Sequence, residues 1–190
     1  MWRESANYLR GPLMSATIYR DHASMPWPNG AGITYEVVRF PAEGEFQWRI
    51  SLADIDNDCP FSVMPGVDRG IVLMEGQHMI LANSDESIRV DELVAFNYPG
   101  EVAFDCTLPA GPAKDLNIMS RRAHFNSETV VLGPRSHKID ASSNTHILVG
   151  LRGETTVDGQ TLAYRDAAVI TGIVDVVSTG TFAHICFCAV

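Results

Sequence analysis

His146-Ile147-Leu148-Val149-Gly150-Leu151-Arg152-Gly153-Glu154 runs through Thr155-Thr156-Val157-Asp158-Gly159 to Tyr164-Arg165-Asp166-Ala167-Ala168-Val169-Ile170. Read in order, this is an apolar strand, a glycine turn, a short strand, an acidic turn (Asp158-Gly159 here) and another apolar strand. The same order occurs earlier, where Gly70-Ile71-Val72-Leu73-Met74-Glu75-Gly76 leads through Ile88-Arg89-Val90 to Asp91-Glu92-Leu93-Val94-Ala95-Phe96. Further strands are expected at Val102–Thr107 after the first copy, and at Val174–Val177 and Phe182–Val190 after the second. A strand-turn pattern that repeats in this way predicts two similar halves. Elsewhere the chain reads as short apolar stretches such as Ile33–Phe40, Phe46–Ala53, Leu116–Met119 and Thr129–Leu132, separated by Gly, Pro, Asn and Asp. Few sustain a helical period over three turns, so the expected class is all-β with at most one or two short helices.

The second copy resembles the half-motif of the cupins, in which such a set of strands builds one wall of a jelly roll. Two copies then imply a bicupin, two RmlC-like jelly-roll barrels in one chain. The polar stretch Arg122–Glu128 reads as the spacer. It divides the chain into an N-terminal half, 1–124, and a C-terminal half, 125–190, the latter completed by an N-terminal strand.

At 190 residues and 46% apolar content the chain can bury a sizeable core, roughly 70% of its unfolded-state surface. Its 14 Lys+Arg against 23 Asp+Glu give a net charge of −9, which argues against nucleic acid and anionic membranes as partners. No apolar run approaches the ~20 residues of a spanning helix. The opening Met1-Trp2-Arg3-Glu4-Ser5-Ala6-Asn7 lacks the apolar core of a secretory signal, so a cytoplasmic location is expected.

The four cysteines, Cys59, Cys106, Cys186 and Cys188, form no CxxC pair. Strand alternation puts Cys186 and Cys188 on one face, where they read as buried reduced thiols. None of the six histidines, His22, His78, His124, His137, His146 and His184, forms the His-x-His pair from which cupins hold metal. They read as surface or satisfied core residues, His78 in a turn and His184 among apolar neighbours, and no metal or other cofactor is expected.

Alternation also sorts the polar residues. Thr34, Glu36 and Val38 share a face opposite Ile33, Tyr35 and Val37; Arg49, Ser51 and Ala53 oppose Trp48, Ile50 and Leu52. Asp115, Asn117, Met119 and Arg121 oppose Leu116, Ile118 and Ser120. Turned inward, these faces suit a polar ligand, with Arg49 as a two-pronged anchor for a carboxylate. Turned outward, they are ordinary solvated faces, and alternation by itself does not separate the two. Two stiff segments, Met25–Gly32 and Pro60–Arg69, read as lids over a core or over a ligand.

Pro26-Trp27-Pro28-Asn29-Gly30-Ala31-Gly32-Ile33-Thr34-Tyr35-Glu36 resembles the opening signature of the HutD/Ves family. The resemblance continues in order through Trp48–Ala53, Pro60-Phe61-Ser62, Pro65–Arg69, Leu73–Gly76, Tyr98-Pro99-Gly100 and Asp115–Arg122, about two thirds of the chain. Pro28 stands where that family usually has Lys, which removes a cationic contact from the loop, and Cys59 replaces a usual small residue. The resemblance implies a bacterial, cytosolic bicupin associated with histidine utilisation that binds a small acid such as urocanate or N-formylglutamate. It turns the polar faces inward. Glu36, Arg49, Ser51, Asp68, Arg69, Asp115, Asn117 and Arg121 become pocket candidates, with Trp27, Asn29 and Thr34 at the rim.

Three functional readings follow. In the first, a metal-free protein binds a small carboxylate through Arg49, with Asn117 and Ser51 as neutral partners and Glu36 and Asp115 orienting Arg49 or accepting a ligand N–H. In the second, a metal-independent enzyme uses Glu36 or Asp115 as general base beside Arg49. In the third, the pocket is vestigial and the protein acts through its surface, as a homodimer or on a regulator, with the strand Phe182–Val190 offered to a partner.

Overall fold

The structure, a computed structural model, describes residues 15–190, so the opening heptapeptide read for a leader lies outside the described residues. Among the described residues there is no helix, and hence none long and apolar enough to cross a membrane. The strands of the first stretch are β1 (Ala16–Tyr19), β2 (Ala23–Pro26), β3 (Gly32–Phe40), β4 (Trp48–Ile55), β5 (Cys59–Pro60), β6 (Val67–Glu75) and β7 (His78–Ala82). They are followed by β8 (Ser87–Asp91), β9 (Ala95–Pro99), β10 (Asp105–Thr107), β11 (Ala113–Arg121), β12 (Phe125–Leu132) and β13 (Arg135–Asp140). The last are β14 (Thr145–Arg152), β15 (Thr155–Val157), β16 (Gln160–Leu162), β17 (Ala167–Ile170), β18 (Ile173–Ser178) and β19 (Thr181–Ala189).

Antiparallel pairing assembles them into four sheets, ordered β2-β3-β4-β11-β6-β9, β5-β10-β7-β8, β1-β17-β14-β19-β12 and β13-β18-β15-β16. Each is open, with two free edges, so hydrogen bonding does not close either half into a continuous barrel. The Asp-Gly turn read from sequence joins β15 to β16, with Asp158 at φ 47° and Gly159 at φ 77°, the left-handed pair that a two-residue hairpin requires.

Three apolar clusters hold the sheets together. Ile55, Ile71, Leu73, Met79, Leu81 and Phe104 fill the space between the six-stranded sheet and the β5-β10-β7-β8 sheet. Leu148, Val157, Leu162, Val174, Val176 and Phe182 fill the space between the five-stranded sheet and the β13-β18-β15-β16 sheet. The third cluster joins the two large sheets back to back, Trp48, Ile50, Leu52, Leu116 and Ile118 against Ile147, Val149, Ile185 and Phe187. Trp48 stacks on Phe187 there with ring centroids 4.8 Å apart. Polar ties cross the same boundary: Arg165 donates to Asp54 at 2.8 Å and lies 4.5 Å above the Tyr35 ring, and Arg152 donates to Glu92 at 2.8 Å.

Several expectations need correction. Half of the proposed spacer is strand, because Phe125 to Glu128 open β12 and pair with Ala189 to Cys186 of β19. The stretch looked structureless because β12 is a half-exposed edge strand whose first two outward positions, Asn126 and Glu128, are polar. The terminal strand is not available for a partner to pair with: β19 is bonded to β14 on one side and β12 on the other, and its residues contribute to two cores. Val38 does not share the face of Thr34 and Glu36. A bulge after Glu36 shifts the register, so Val38 lies opposite Ile50 on the apolar face. His78 opens β7 rather than sitting in a turn.

Removing the stacked ring at the junction leaves a cavity that two rigid sheets cannot collapse around. Trp48→Ala is expected to cost about 3–5 kcal/mol, read as a lowered urea midpoint with an unchanged denaturant slope.

Candidate functional site

Residues directly opposite one another in neighbouring antiparallel strands point to the same face. Across β4, β11 and β6 the register therefore gives three polar-rich rows: Arg49, Met119 and Arg69; Ser51, Asn117 and Ile71; Ala53, Asp115 and Leu73. On β3, Thr34 extends the third row and Glu36 the second. This face looks into the space shared with the β5-β10-β7-β8 sheet, where a cavity of about 490 Å³ opens. Trp27, Asn29, Thr34, Arg49, Ser51, Arg69, Asp115 and Asn117 line it, eight of the eleven residues singled out from sequence.

The two stiff segments form its mouth, supplying Met25, Trp27, Pro28 and Asn29 on one side and Pro60, Phe61, Ser62 and Met64 on the other. Trp27 is fixed by its indole N–H donating to Thr34 Oγ1 at 2.7 Å and by its backbone N–H donating to Gly32 O at 2.9 Å. Its ring lies over Gly32, where a Cβ would stand 3.2 Å from the indole and 2.4 Å from Asp54 O, so only glycine fits. Asn29 turns the loop by accepting from Ala31 N–H at 3.1 Å.

Deeper in, Arg69 is buried between two rings, 5.5 Å from the Phe61 centroid and 5.2 Å from that of Tyr98. It donates to Ser62 O at 3.0 Å and to Asn117 Oδ1 at 3.0 Å. Asn117 in turn donates from Nδ2 to Asp115 Oδ1 at 2.6 Å. Asp115 has no exposed surface, and its Oδ2 has no hydrogen-bond partner among the described residues. Burial pushes its carboxyl up to about 7, against the opposing pull of the Arg69 charge and the Asn117 hydrogen bond. Arg49 stands apart from this chain. Its Nε lies 2.9 Å from Glu36 Oε2, an ion pair without hydrogen-bond alignment, and its terminal amines make no hydrogen bond among the described residues.

Three candidates do not line the cavity. Glu36 stands behind Arg49 as its counter-ion. Asp68 is adjacent to Arg69 on β6 and so points to the other face, where it pairs with Arg122 at 2.6 Å. Arg121 keeps the parity of Asp115 but lies at the strand end, bonded to Phe46 O at 2.9 Å and 3.4 Å from Glu45. The apolar lining residues Met25, Phe61, Met64 and Met119 were not singled out. Their signal was their place in the two stiff segments and, for Met119, its parity with Asn117.

The equivalent inner face of the five-stranded sheet carries different chemistry. His146 Nδ1 and His184 Nε2 are 2.7 Å apart, and Cys186 Sγ lies 3.6 Å from both His146 Nε2 and Cys188 Sγ. The two thiols share a face but are half-buried rather than buried. Burial, then the proximity of His146, pulls His184 down to about 4, burial lowers His146 as well, and burial pushes Cys186 up to about 12, so these three groups are neutral at pH 7. His146 offers both nitrogens to different neighbours, and no three His, Cys, Asp or Glu among the described residues converge on a metal position.

Comparison with known proteins matches residues 19–182 to the HutD family. The chain is 30% identical over 144 residues to an uncharacterized 21.2 kDa protein in the hutC 3′ region of Pseudomonas putida, covering 70% of this chain and 76% of that one. It is 39% identical over 110 residues to protein Ves of Citrobacter koseri, covering 55% of this chain and 58% of that protein. Among solved structures, HutD from Pseudomonas fluorescens SBW25 in a formate condition superposes with a TM-score of 0.83 at 26% identity, over 92% of this chain and 99% of that one. Protein Ylba of E. coli superposes at a TM-score of 0.70 and 8% identity, over 92% and 91%, a likeness of all-β, cupin-like fold alone.

The environment of Asp115 makes folding stability depend on pH. With its carboxyl raised from an ordinary 3.8 to about 7, the folded protein retains a proton that the unfolded chain releases in that interval. The contribution is fully present below the lower value and is lost as pH rises through the upper one. Asp115→Asn is therefore expected to raise the thermal midpoint at pH 8 by more than at pH 5, as differential scanning fluorimetry at the two pH values reads directly.

Proposed function

Because the chain belongs to the HutD family, we propose that its cavity binds a small carboxylate, of the urocanate or N-formylglutamate kind, without metal, and that the protein modulates histidine utilisation through this binding. The observation that carries the reading is Arg49, a guanidinium at the cavity wall held from behind by Glu36, with its two terminal amines uncommitted. Such a fork matches the two oxygens of a carboxylate. Ser51 and Thr34 supply hydroxyls on the same wall, and Trp27 and Phe61 supply flat apolar surface for the body of the ligand. A volume of about 490 Å³ suits an acid of several carbons. A lining with one carboxyl, Asp115, and two guanidinium groups, Arg49 and Arg69, is a poor donor set for a cation, which supports the metal-free reading.

In the same reading the chain is a bicupin, with halves 1–124 and 125–190. β1 completes the second half through its pairing with β17. It acts in the cytoplasm, as a homodimer, with no nucleic acid or membrane as partner, consistent with its net charge of −9. A second reading, a metal-independent reaction with Asp115 as general base, is favoured by the free Oδ2 and the raised titration of that residue. Formation of product from one of the acids below, abolished in Asp115→Asn, would select it.

The test is a thermal-shift panel with urocanate, N-formylglutamate, formiminoglutamate, glutamate and formate. A true ligand at 100 times its dissociation constant adds about 2.7 kcal/mol. At roughly 2–4 °C per kcal/mol for a domain near this size, the shift is plain. Arg49→Ala is expected to weaken binding of the responding acid at least tenfold while Lys138→Ala, on exposed β13, leaves it unchanged. A flat panel, or full affinity in Arg49→Ala, sinks the reading.

A further inference from the structure

The hydrogen-bond chain behind the cavity has a fixed direction. A guanidinium only donates, so Arg69 compels Asn117 to accept through Oδ1 and to turn its amide N–H toward Asp115. Oδ1 of Asp115 is thereby held as an acceptor, and a proton on this carboxyl has to sit on Oδ2. That atom is the buried, unpartnered one, on a residue that lines the cavity.

The charges around the cavity balance before any ligand enters. Arg49 is offset by Glu36, and Arg69 by ionised Asp115 through Asn117. A carboxylate docked on Arg49 adds a further negative charge in a place where uncompensated charge is costly. Other groups that act on Asp115 cannot absorb the imbalance. The Cys59 thiol from β5, the Cys106 thiol from β10 and the Tyr98 phenol from β9 are already neutral, each held above its ordinary value by burial. Asp54 from β4 is paired with Arg165 at 2.8 Å. The arginines do not lose protons. Glu36 is held in its ion pair with Arg49, so protonation of Asp115 at its unpartnered oxygen is the relief that breaks no existing contact, and burial has already brought this carboxyl close to neutral pH.

We propose that binding of a carboxylate at Arg49 is coupled to uptake of one proton from solvent at Oδ2 of Asp115, so that the cavity takes in an anion and a proton together, an inference that rests on the carboxylate reading above. No covalent bond changes, and the same proton leaves when the anion does. Direct contact between the two ends is not needed. Arg49 lies opposite Met119, four residues along β11 from Asp115, a backbone separation of about 13 Å. A like charge within the cavity shifts the carboxyl through space, and a longer acid can also accept a hydrogen bond from the new O–H.

The experiment is titration calorimetry of the full chain with N-formylglutamate and with formate. Neither probe's carboxyl titrates near pH 6–9, so a proton taken up there belongs to the protein. At pH 7.5 the apparent enthalpy should differ between phosphate and Tris by the difference in the buffers' heats of ionisation times about 0.5–1 proton. The dissociation constant should be flat below about pH 6 and rise toward tenfold per pH unit above about pH 8. Asp115→Asn should abolish both dependences and bind more tightly than the unsubstituted protein at pH 8.5; the buffer comparison needs no variant and decides the matter if that one misfolds. Binding with equal enthalpy in both buffers overturns the coupling and leaves the carboxylate reading standing. Proton release, or affinity that rises with pH, overturns it in favour of an N–H of the probe donating to ionised Asp115. Failure of both acids to bind at any pH overturns this inference, and the reading beneath it falls as well when the whole thermal-shift panel is flat.

Discussion

Burial of both faces of the six-stranded sheet is the constraint from which the site follows. One face carries Ile50, Leu52, Leu116 and Ile118 into the core between the large sheets. The alternate residues of the same strands, Arg49, Ser51, Asp115 and Asn117, are then turned away from the protein surface and open on a half-enclosed cavity instead. A half-exposed antiparallel sheet would solvate such residues at no cost. Here each charge needs a partner, because an unpaired one loses its hydration without compensation. The Glu36–Arg49 pair and the chain from Ser62 O through Arg69 and Asn117 to Asp115 supply those partners.

Rigidity around the cavity comes from sources other than the polar chain. Arg69 lies between the Phe61 and Tyr98 rings, and Tyr98 packs edge-on against Phe104 in the core behind it. Trp27 is set by a close approach to Gly32 that excludes any Cβ. The mouth thus consists of proline-flanked segments whose key side chains are already placed, and little ordering cost remains for a ligand to meet. Among the uncommitted groups at the cavity are the Arg49 amines and Asp115 Oδ2, one basic and one poised near neutrality.

The internal repeat produces two sheet pairs that share a layout and differ in chemistry. In the second pair Leu148, Val176 and Phe182 fill the interior, and its inner face bears the neutral His146–His184–Cys186 contact rather than guanidinium and carboxyl groups. Backbone geometry is set by where apolar residues and turns recur, whereas site chemistry depends on a few inward positions that the repeat leaves free to vary. The similarity of the halves therefore carries no functional equivalence between them.

The all-β class, the Asp158-Gly159 hairpin and the repeat were legible because turn chemistry and alternation are local properties of the chain. So was the pairing of Arg49, Ser51, Asp115 and Asn117 with one face, since parity survives along a regular strand. Parity failed at Val38, where a bulge inserts one residue, but it held at Asp68, which alternation separates from Arg69 and which only the resemblance had placed in the pocket. The opening half of edge strand β12, Phe125 to Glu128, was read as spacer because periodicity is weak where only one side of a strand is covered. Inside and outside could not be told apart from alternation; only the resemblance to HutD/Ves turned the polar faces inward. By itself the sequence determined which residues share a face. The tertiary structure decided what that face meets, because burial, the Arg69–Asn117–Asp115 polarity and the unpartnered Oδ2 arise from strands distant in the chain, and no local rule places them together.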